Sequence, residues 1–233
     1  MSKRRNEGVE RSVLVAAWDL FMEKGYQGTS YTDIAELSGV SRSLVQYYFP
    51  KKDLLALTCG KAIVIASHVV VRTEIHQDLN QVASAYITGQ VLLAALFLNK
   101  GSQRFLFDIL RDRDIAQQLI VQNYQLAHRA FAVSLDQFAA IPDRAMMVAG
   151  GLGELAYYYL AQGIMPDVSS LLKPGVLVQA SIFGLVDETT PQQEQAMLAP
   201  YALSNETLAP LAAKATEYAR TMLLEQGDVS YFD

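Results

Sequence analysis

At 233 residues the chain is long enough to bury a sizeable core, in one large domain or two. Apolar residues are 51% and charged residues 18% of it, which excludes a disordered chain. The single cysteine, Cys59, excludes an internal disulfide, and no apolar run reaches the roughly 18 uncharged residues of a membrane span. Residues 1–20 begin basic but hold Glu7, Glu10 and Asp19 and lack an apolar stretch, so no signal peptide is expected and the expected location is the cytoplasm. The net charge of −5 is unevenly spread. Residues 1–60 carry 8 Lys/Arg against 7 Asp/Glu, with cations bunched at Lys3, Arg4, Arg5, Arg42, Lys51 and Lys52, so any attraction for phosphate is local.

In chain order, residues 1–6 read as a basic tail that either lies along a minor groove or stays solvated. A first helix is predicted from about Glu7 to Lys24, with Val9, Val13, Ala17, Leu20 and Phe21 as its apolar stripe and Gly25 as its end. Ser30 then caps a short helix, and Asp33, three residues on, completes a capping box. Gly39 ends that helix, Ser41 caps the next, and Pro50 stops it. On this second short helix Leu44, Val45, Tyr48 and Phe49 fall on one side, and Arg42, Ser43, Gln46 and Tyr47 on the other. Two short helices around a glycine turn, the second with a face of guanidinium, hydroxyl, amide and phenol, make a helix-turn-helix that reads base edges and holds phosphates. The bland alternative is a helical corner with a solvated face.

A longer helix follows from Lys51 to about Thr73, apolar nearly all round and hence buried on several sides. Glu74 to Asn80 is a polar break. The remainder is helical, with no alternating strand pattern; helices are predicted at about 80–98, 102–111, 114–139, 143–163, 174–187, 191–200 and 205–226, with stops at Gly101, Pro142, 163–166, Pro174-Gly175, Pro191 and Gly227. The segment 188–233 has an exposed face around Glu206, Lys214, Glu217 and Arg220, and either covers the bundle or extends a dimer contact.

Residues 9–55 resemble the N-terminal domain of the tetracycline-repressor (TetR) family of bacterial transcription regulators. The resemblance rests on Phe21, Gly25-Tyr26, Thr29-Ser30, Asp33-Ile34-Ala35, Gly39-Val40-Ser41, Tyr48-Phe49 and Lys52-Asp53-Leu54-Leu55, a gap-free run over about a fifth of the chain. It departs from the family's common pattern at Gln46, where the family often has Tyr, and at Pro50, where it often has Lys or Arg. Glutamine favours adenine through a bidentate contact, so an operator unlike a typical relative's is expected. The resemblance implies an all-α fold, with a three-helix helix-turn-helix domain at 1–52 and a helical-bundle effector and dimerisation domain at 53–233. It further implies that the helix from Lys51 transmits ligand binding, and that two late helices form a four-helix dimer contact.

The candidate DNA-binding residues are Thr29, Tyr31, Thr32, Arg42, Ser43, Gln46, Tyr47, Tyr48 and Lys52. Arg42, Ser43 and Gln46 are expected on base edges, Thr32 reaches toward a base, and Thr29, Tyr31, Tyr47, Tyr48 and Lys52 hold phosphates or position the helix. In the effector half, aromatics at helical spacing are mostly core, but pockets between bundle helices are lined by aromatics with a few polar groups. The candidate ligand-binding residues are Tyr86, Gln90, Phe97, Phe105, Tyr124, His128 and Phe131. Gly150, Gly151 and Gly153 on one helix, each costing about 1 kcal/mol against alanine, point to close approach of another helix. With the helix at 174–187 they are the expected homodimer contact, through residues 143–163 and 174–187; packing within one chain is the alternative.

No Walker loop, G-x-S-x-G or HExxH motif is present, and His68, His76 and His128 have no metal-ligand spacing, so no enzyme, metal or cofactor is expected. The sequence therefore reads as a DNA-binding regulator released from a palindromic operator by a small, largely apolar effector. The alternative is a DNA-binding regulator or architectural protein with no small ligand, controlled by a protein partner or by its abundance.

Overall fold

The structure is a computed structural model that describes residues 6–75, 78–130, 142–182, 184–186 and 191–227. Among them it is all helical. The order is α1 (Glu7–Lys24), α2 (Tyr31–Ser38), α3 (Arg42–Tyr48), α4 (Lys52–Glu74), α5 (Gln81–Leu96), α6 (Lys100–Arg111), α7 (Arg113–Ala130), α8 (Pro142–Gln162), α9 (Val168–Ile182), α10 (Pro191–Leu198), a 3-10 turn (Ala199–Tyr201) and α11 (Asn205–Gln226).

The first three helices close a small core. Asn6 caps α1 by accepting from the Gly8 N–H, and Val13, Leu14, Ala17, Trp18 and Phe21 bury one flank of α1. Ile34 and Ala35 of α2 and Val45 and Tyr48 of α3 pack into the same apolar cluster. That cluster does not stop at the third helix. It runs on through Leu55 to Val71 of α4 and takes in Leu208, Ala212, Ala215, Ala219 and Leu223 of α11. A second cluster joins Tyr86 of α5, Phe97, Leu106 of α6, Ala156 of α8, Leu172 and Val176 of α9, and Leu198.

Helix α4 is long and apolar enough, by length and composition, to cross a membrane, but 67% of its most apolar window is buried inside the protein, the pattern of a core helix. The role left open for the C-terminal segment is partly resolved by α11, which packs along α4, α5 and α1. Its small residues Ala212, Ala215 and Ala219 let the helix axes approach closely, and its exposed edge adds two ion pairs. Lys214 Nζ lies 2.5 Å from Glu74 Oε2, and Arg220 grips Asp19 of α1 with two bonds of 2.7 and 2.8 Å.

One expected stop proves to be a helix interior, and another falls in the first turn of a helix. Pro174 lies inside α9, which starts six residues earlier, at Val168. The Asp167 carboxylate starts it by accepting from the Ser169 N–H (3.2 Å) and from the Ser169 and Ser170 hydroxyls (3.0 and 2.5 Å). Pro174 and Ser170 are both exposed, so the carbonyl four residues before the proline is left to water rather than orphaned in the core. Gly101 sits in the first turn of α6, where Asn99 and Ser102 form the capping box. A Cβ at Gly101 would overlap the backbone carbonyl oxygens of Met22 and Glu23, so glycine is needed there for α6 to dock on the end of α1.

Candidate DNA-reading face and ligand cavity

The α2–α3 corner follows from its capping residues. The Ser30 N–H donates to Asp33 Oδ2 at 2.7 Å, and the Asp33 N–H donates to Ser30 Oγ at 3.2 Å. The backbone N–H and hydroxyl of Ser30 and the Lys24 ammonium, 3.1 Å away, hold the Asp33 carboxyl down at about 2. Gly39 turns the chain with φ +71, a left-handed conformation that an L side chain resists, and the Val40 N–H returns to the Ala35 carbonyl at 3.2 Å. Ser41 Oγ then accepts from the Leu44 N–H and starts α3.

With Val45, Tyr48 and Phe49 buried, α3 turns Arg42, Ser43, Gln46 and Tyr47 to solvent, Tyr47 at 58% exposure. Thr32 is also exposed, at the start of α2. These five residues share the outer side of the corner. The other four candidates face the protein. The Thr29 hydroxyl donates to the Gly25 carbonyl at 2.8 Å, the Tyr31 hydroxyl to the Phe49 carbonyl at 2.8 Å, and the Tyr48 hydroxyl accepts from the Asn6 N–H at 2.6 Å. Lys52 is turned inward. Its Nζ donates to the Tyr26 and Thr29 carbonyls at 2.8 and 2.9 Å and lies 4.0 Å from the centre of the Tyr26 ring. Burial pushes the Lys52 ammonium down from its ordinary value, against the pull of Asp108 and Asp53. The Tyr26 hydroxyl donates to Asp53 Oδ1 at 2.6 Å, and burial with that bond raises it well above its ordinary range. Thr29, Tyr31, Tyr48 and Lys52 thus brace the corner from behind. Lys51, one residue earlier, is the exposed lysine at the head of α4; it was absent from the sequence-derived set, although its place among the bunched cations was a signal.

A cavity of about 350 Å³ lies between α4, α5, α6, α7, α8 and α9. Of the sequence-derived ligand residues with described side chains, Phe105 lines it. Tyr86, Gln90 and Phe97 do not. Tyr86 is fully buried and donates to the Ser169 carbonyl at 3.0 Å. Gln90 donates to the Tyr201 carbonyl (3.0 Å) and accepts from the Leu203 N–H (2.9 Å), fixing the entry to α11. Phe97 fills the second apolar cluster. The side chains of Tyr124 and His128, and Phe131 altogether, lie outside the described residues, as do Lys3, Arg4, Arg5 and His76. One side of the wall is a stripe of α5, with Gln81, Ser84, Ala85, Thr88, Gly89 and Leu92 at helical spacing, a pattern legible in the sequence and absent from the expected ligand residues. Gly150 and Gly153 also line the cavity; a Cβ at Gly153 would meet Leu110 at 3.4 Å, and one at Gly150 or Gly151 would meet nothing within 4 Å. The outward side of α8 is instead apolar and bulky, with Met147, Leu155 and Tyr158 exposed beside Val178 of α9.

The wall helices also hold the reading head. Phe105 lines the cavity and stacks on Phe21 of α1, with ring centroids 5.3 Å apart. Asp108, one turn further along α6 and buried, accepts from the Gln27 N–H at 2.7 Å in the loop between α1 and α2.

Comparison with known proteins agrees with the corner's geometry. The family described as "Bacterial regulatory proteins, tetR family" matches residues 13–59. The HTH-type transcriptional regulator RutR of Escherichia coli (strain K12) is 40% identical over 55 residues, which cover 24% of this chain and 26% of the relative; RutR of Shigella flexneri gives the same figures. The match thus spans about a quarter of the length of these curated relatives. A solved structure titled "Crystal structure of gamma-butyrolactone receptor (ArpA like protein)" aligns over 88% of this chain and 95% of that one, at 16% identity and a TM-score of 0.33, a likeness too distant to carry an argument. With a capped helix-turn-helix whose second helix bears an exposed polar face, and with the family match falling on those same helices, residues 13–59 form a helix-turn-helix domain of the tetR type.

Proposed function

We propose that the protein is a cytoplasmic, homodimeric transcriptional repressor that leaves a palindromic operator when a small, largely apolar effector fills the cavity. Arg42, Ser43 and Gln46 read base edges, with Thr32 beside them. Tyr47 and Lys51 take phosphates, and Thr29, Tyr31, Tyr48 and Lys52 hold the reading helix in place. One short helix makes too few base contacts for genomic specificity, so two half-sites about one helical turn or a multiple apart are required. The apolar outer face of α8 and α9, with Leu155, Tyr158 and Val178 exposed, supports a dimer contact within residues 143–163 and 174–187.

The observation that carries the switch is that α6 serves two surfaces at once. Phe105 meets the cavity on one side and Phe21 of the reading head on the other, while Asp108 ties α6 to Gln27. Helix α4 has the same double role, running from the end of α3 along the cavity wall at Gly60, Ile63 and His68. A ligand that displaces either helix moves the head, and DNA demands a fixed spacing of two heads, so ligand and DNA oppose each other reciprocally. The test needs no ligand. Amide hydrogen exchange is measured on the full chain with and without a DNA duplex recovered by selection from a random library. Changed exchange in α6 and along the cavity face of α5, as well as protection in α3, is expected; a change confined to residues 29–53 would leave no coupling between the sites.

A further inference from the structure

The cavity wall defines the chemistry of what fills it. Among the described residues its charged groups are Arg113 and Glu154, which pair with each other at 3.0 Å and stand at the rim, their side chains 84% and 67% exposed. His68 also lines the wall; burial and the neighbouring Arg72 push its imidazole below the ordinary value, so it is neutral at pH 7. Deeper than the rim, the wall therefore offers no counter-charge among the described residues, and an ion placed against them would lose its hydration with nothing to replace it.

One polar atom of the wall is buried and unsatisfied. Thr88 Oγ1 is closed off from solvent and has no hydrogen-bond partner among the described residues. A helical Ser or Thr commonly returns its hydroxyl to the carbonyl four residues back. Thr58, Ser67, Thr73 and Thr216 do so in this protein, at 2.7–3.1 Å, and Thr88 does not. Thr88 lines the cavity, so a change of χ1 rotamer can turn its hydroxyl toward whatever occupies it. Buried polar groups left without a partner are few in native proteins, and a bound molecule is one way to supply it. A volume of about 350 Å³ has room for about a dozen or more non-hydrogen atoms at liquid density.

Resting on the effector reading above, we propose that the cavity takes an uncharged, mostly apolar molecule of about this size whose single polar group, a hydroxyl or carbonyl, hydrogen-bonds Thr88. The probes are 1-decanol, decanoate and decylammonium, which share one chain and differ in the head. Each is titrated calorimetrically into the full-length protein, freed of co-purified lipid, at pH 7.5 and one ionic strength. Decanol is expected to bind at least about tenfold more tightly than either ion. Thr88→Val keeps the shape, and should lower decanol affinity about fivefold without lowering the melting temperature, because the hydroxyl it removes has no partner to lose. Thr88→Ser should restore affinity to within about twofold.

Decanoate binding as tightly as decanol would overturn the proposal, and loss of that binding in Arg113→Gln would place the head at the rim instead. Failure of all three probes up to their solubility limits, or decanol affinity indifferent to Thr88→Val, would overturn it as well. The effector reading is scored separately. If decanol binds as described but leaves DNA affinity unchanged, the ligand class stands and the switch falls.

Discussion

Replacing Lys52 with methionine separates two roles that a lysine beside a reading helix can have. In the structure its ammonium spends two bonds, of 2.8 and 2.9 Å, on the Tyr26 and Thr29 carbonyls and packs over the Tyr26 ring at 4.0 Å. Hydrogen bonds from a charged donor contribute about 1.5–3 kcal/mol each before the burial of the charge is counted. The depressed Lys52 value records that burial, so a net loss of about 1–2 kcal/mol is expected for Lys52→Met. In a chain of this size that corresponds to a melting temperature lower by roughly 2–4 °C per kcal/mol. The second readout is the dependence of DNA affinity on salt. A lysine that neutralises a phosphate contributes about 0.9 to the slope of log K against log [salt], whereas one that braces backbone carbonyls contributes nothing. The assay is a series of anisotropy titrations on one duplex between 50 and 200 mM salt, flanked by thermal melts, with the salt range set by the steepness expected of such complexes. The structure predicts a lower melting temperature and an unchanged slope. An unchanged melting temperature with a slope flatter by about one unit would refute the inward, bracing role of Lys52.

Gln46→Ala should cost about 1–3 kcal/mol on the selected site and little on random DNA; equal losses on both would remove Gln46 from base reading. The Asp33 carboxyl sits at about 2, below its unfolded value of about 3.9, so its stabilisation of α2 is fully present above about pH 4 and fades as pH falls toward 2. Amide exchange in α2 should quicken over that window in the native protein and not in Asp33→Asn; the same pH profile in both would show that the capping box is not responsible. Tyr158→Glu places a charge in the exposed apolar face of α8, where Tyr158 is 56% exposed, and should yield monomers that bind DNA weakly. Unchanged sedimentation of that variant would put the dimer contact elsewhere.

The reading head was legible because short-range chemistry determines it. Ser30, Asp33, Gly39 and Ser41 act within four residues of where they stand, so their spacing alone gives the capped corner. The same local logic separated Gln46 and Arg42 from Val45 and Tyr48. It failed where tertiary context decides. Local sequence leaves Lys52 to hold a phosphate or to position the helix, and the fold turns it inward onto the Tyr26 and Thr29 carbonyls. Pro174 and Gly101 read as breaks, yet one is tolerated on an exposed helix face and the other is required by the close approach of α6 to α1.

The ligand cavity was misread for a physical reason. Large aromatics such as Tyr86 and Phe97 are the expected lining of such a site, but large side chains fill space, and these two are packed solid. A cavity persists where side chains are too short to meet, and the α5 stripe from Gln81 through Ser84, Ala85, Thr88 and Gly89 is that kind of surface. The glycines of α8 belong to the same logic: within the protomer Gly150 and Gly153 leave room at the cavity wall.

Sequence-specific binding by a pair of reading heads is the claim on which the rest depends. Selection of bound duplexes from a random library by the intact protein, followed by sequencing, tests it most directly. The account predicts an enriched palindrome with two half-sites one helical turn or a multiple apart, and loss of the preferred base at one position of each half-site in Gln46→Ala. A library that emerges without an enriched motif, or with one that has no two-fold symmetry, would contradict it.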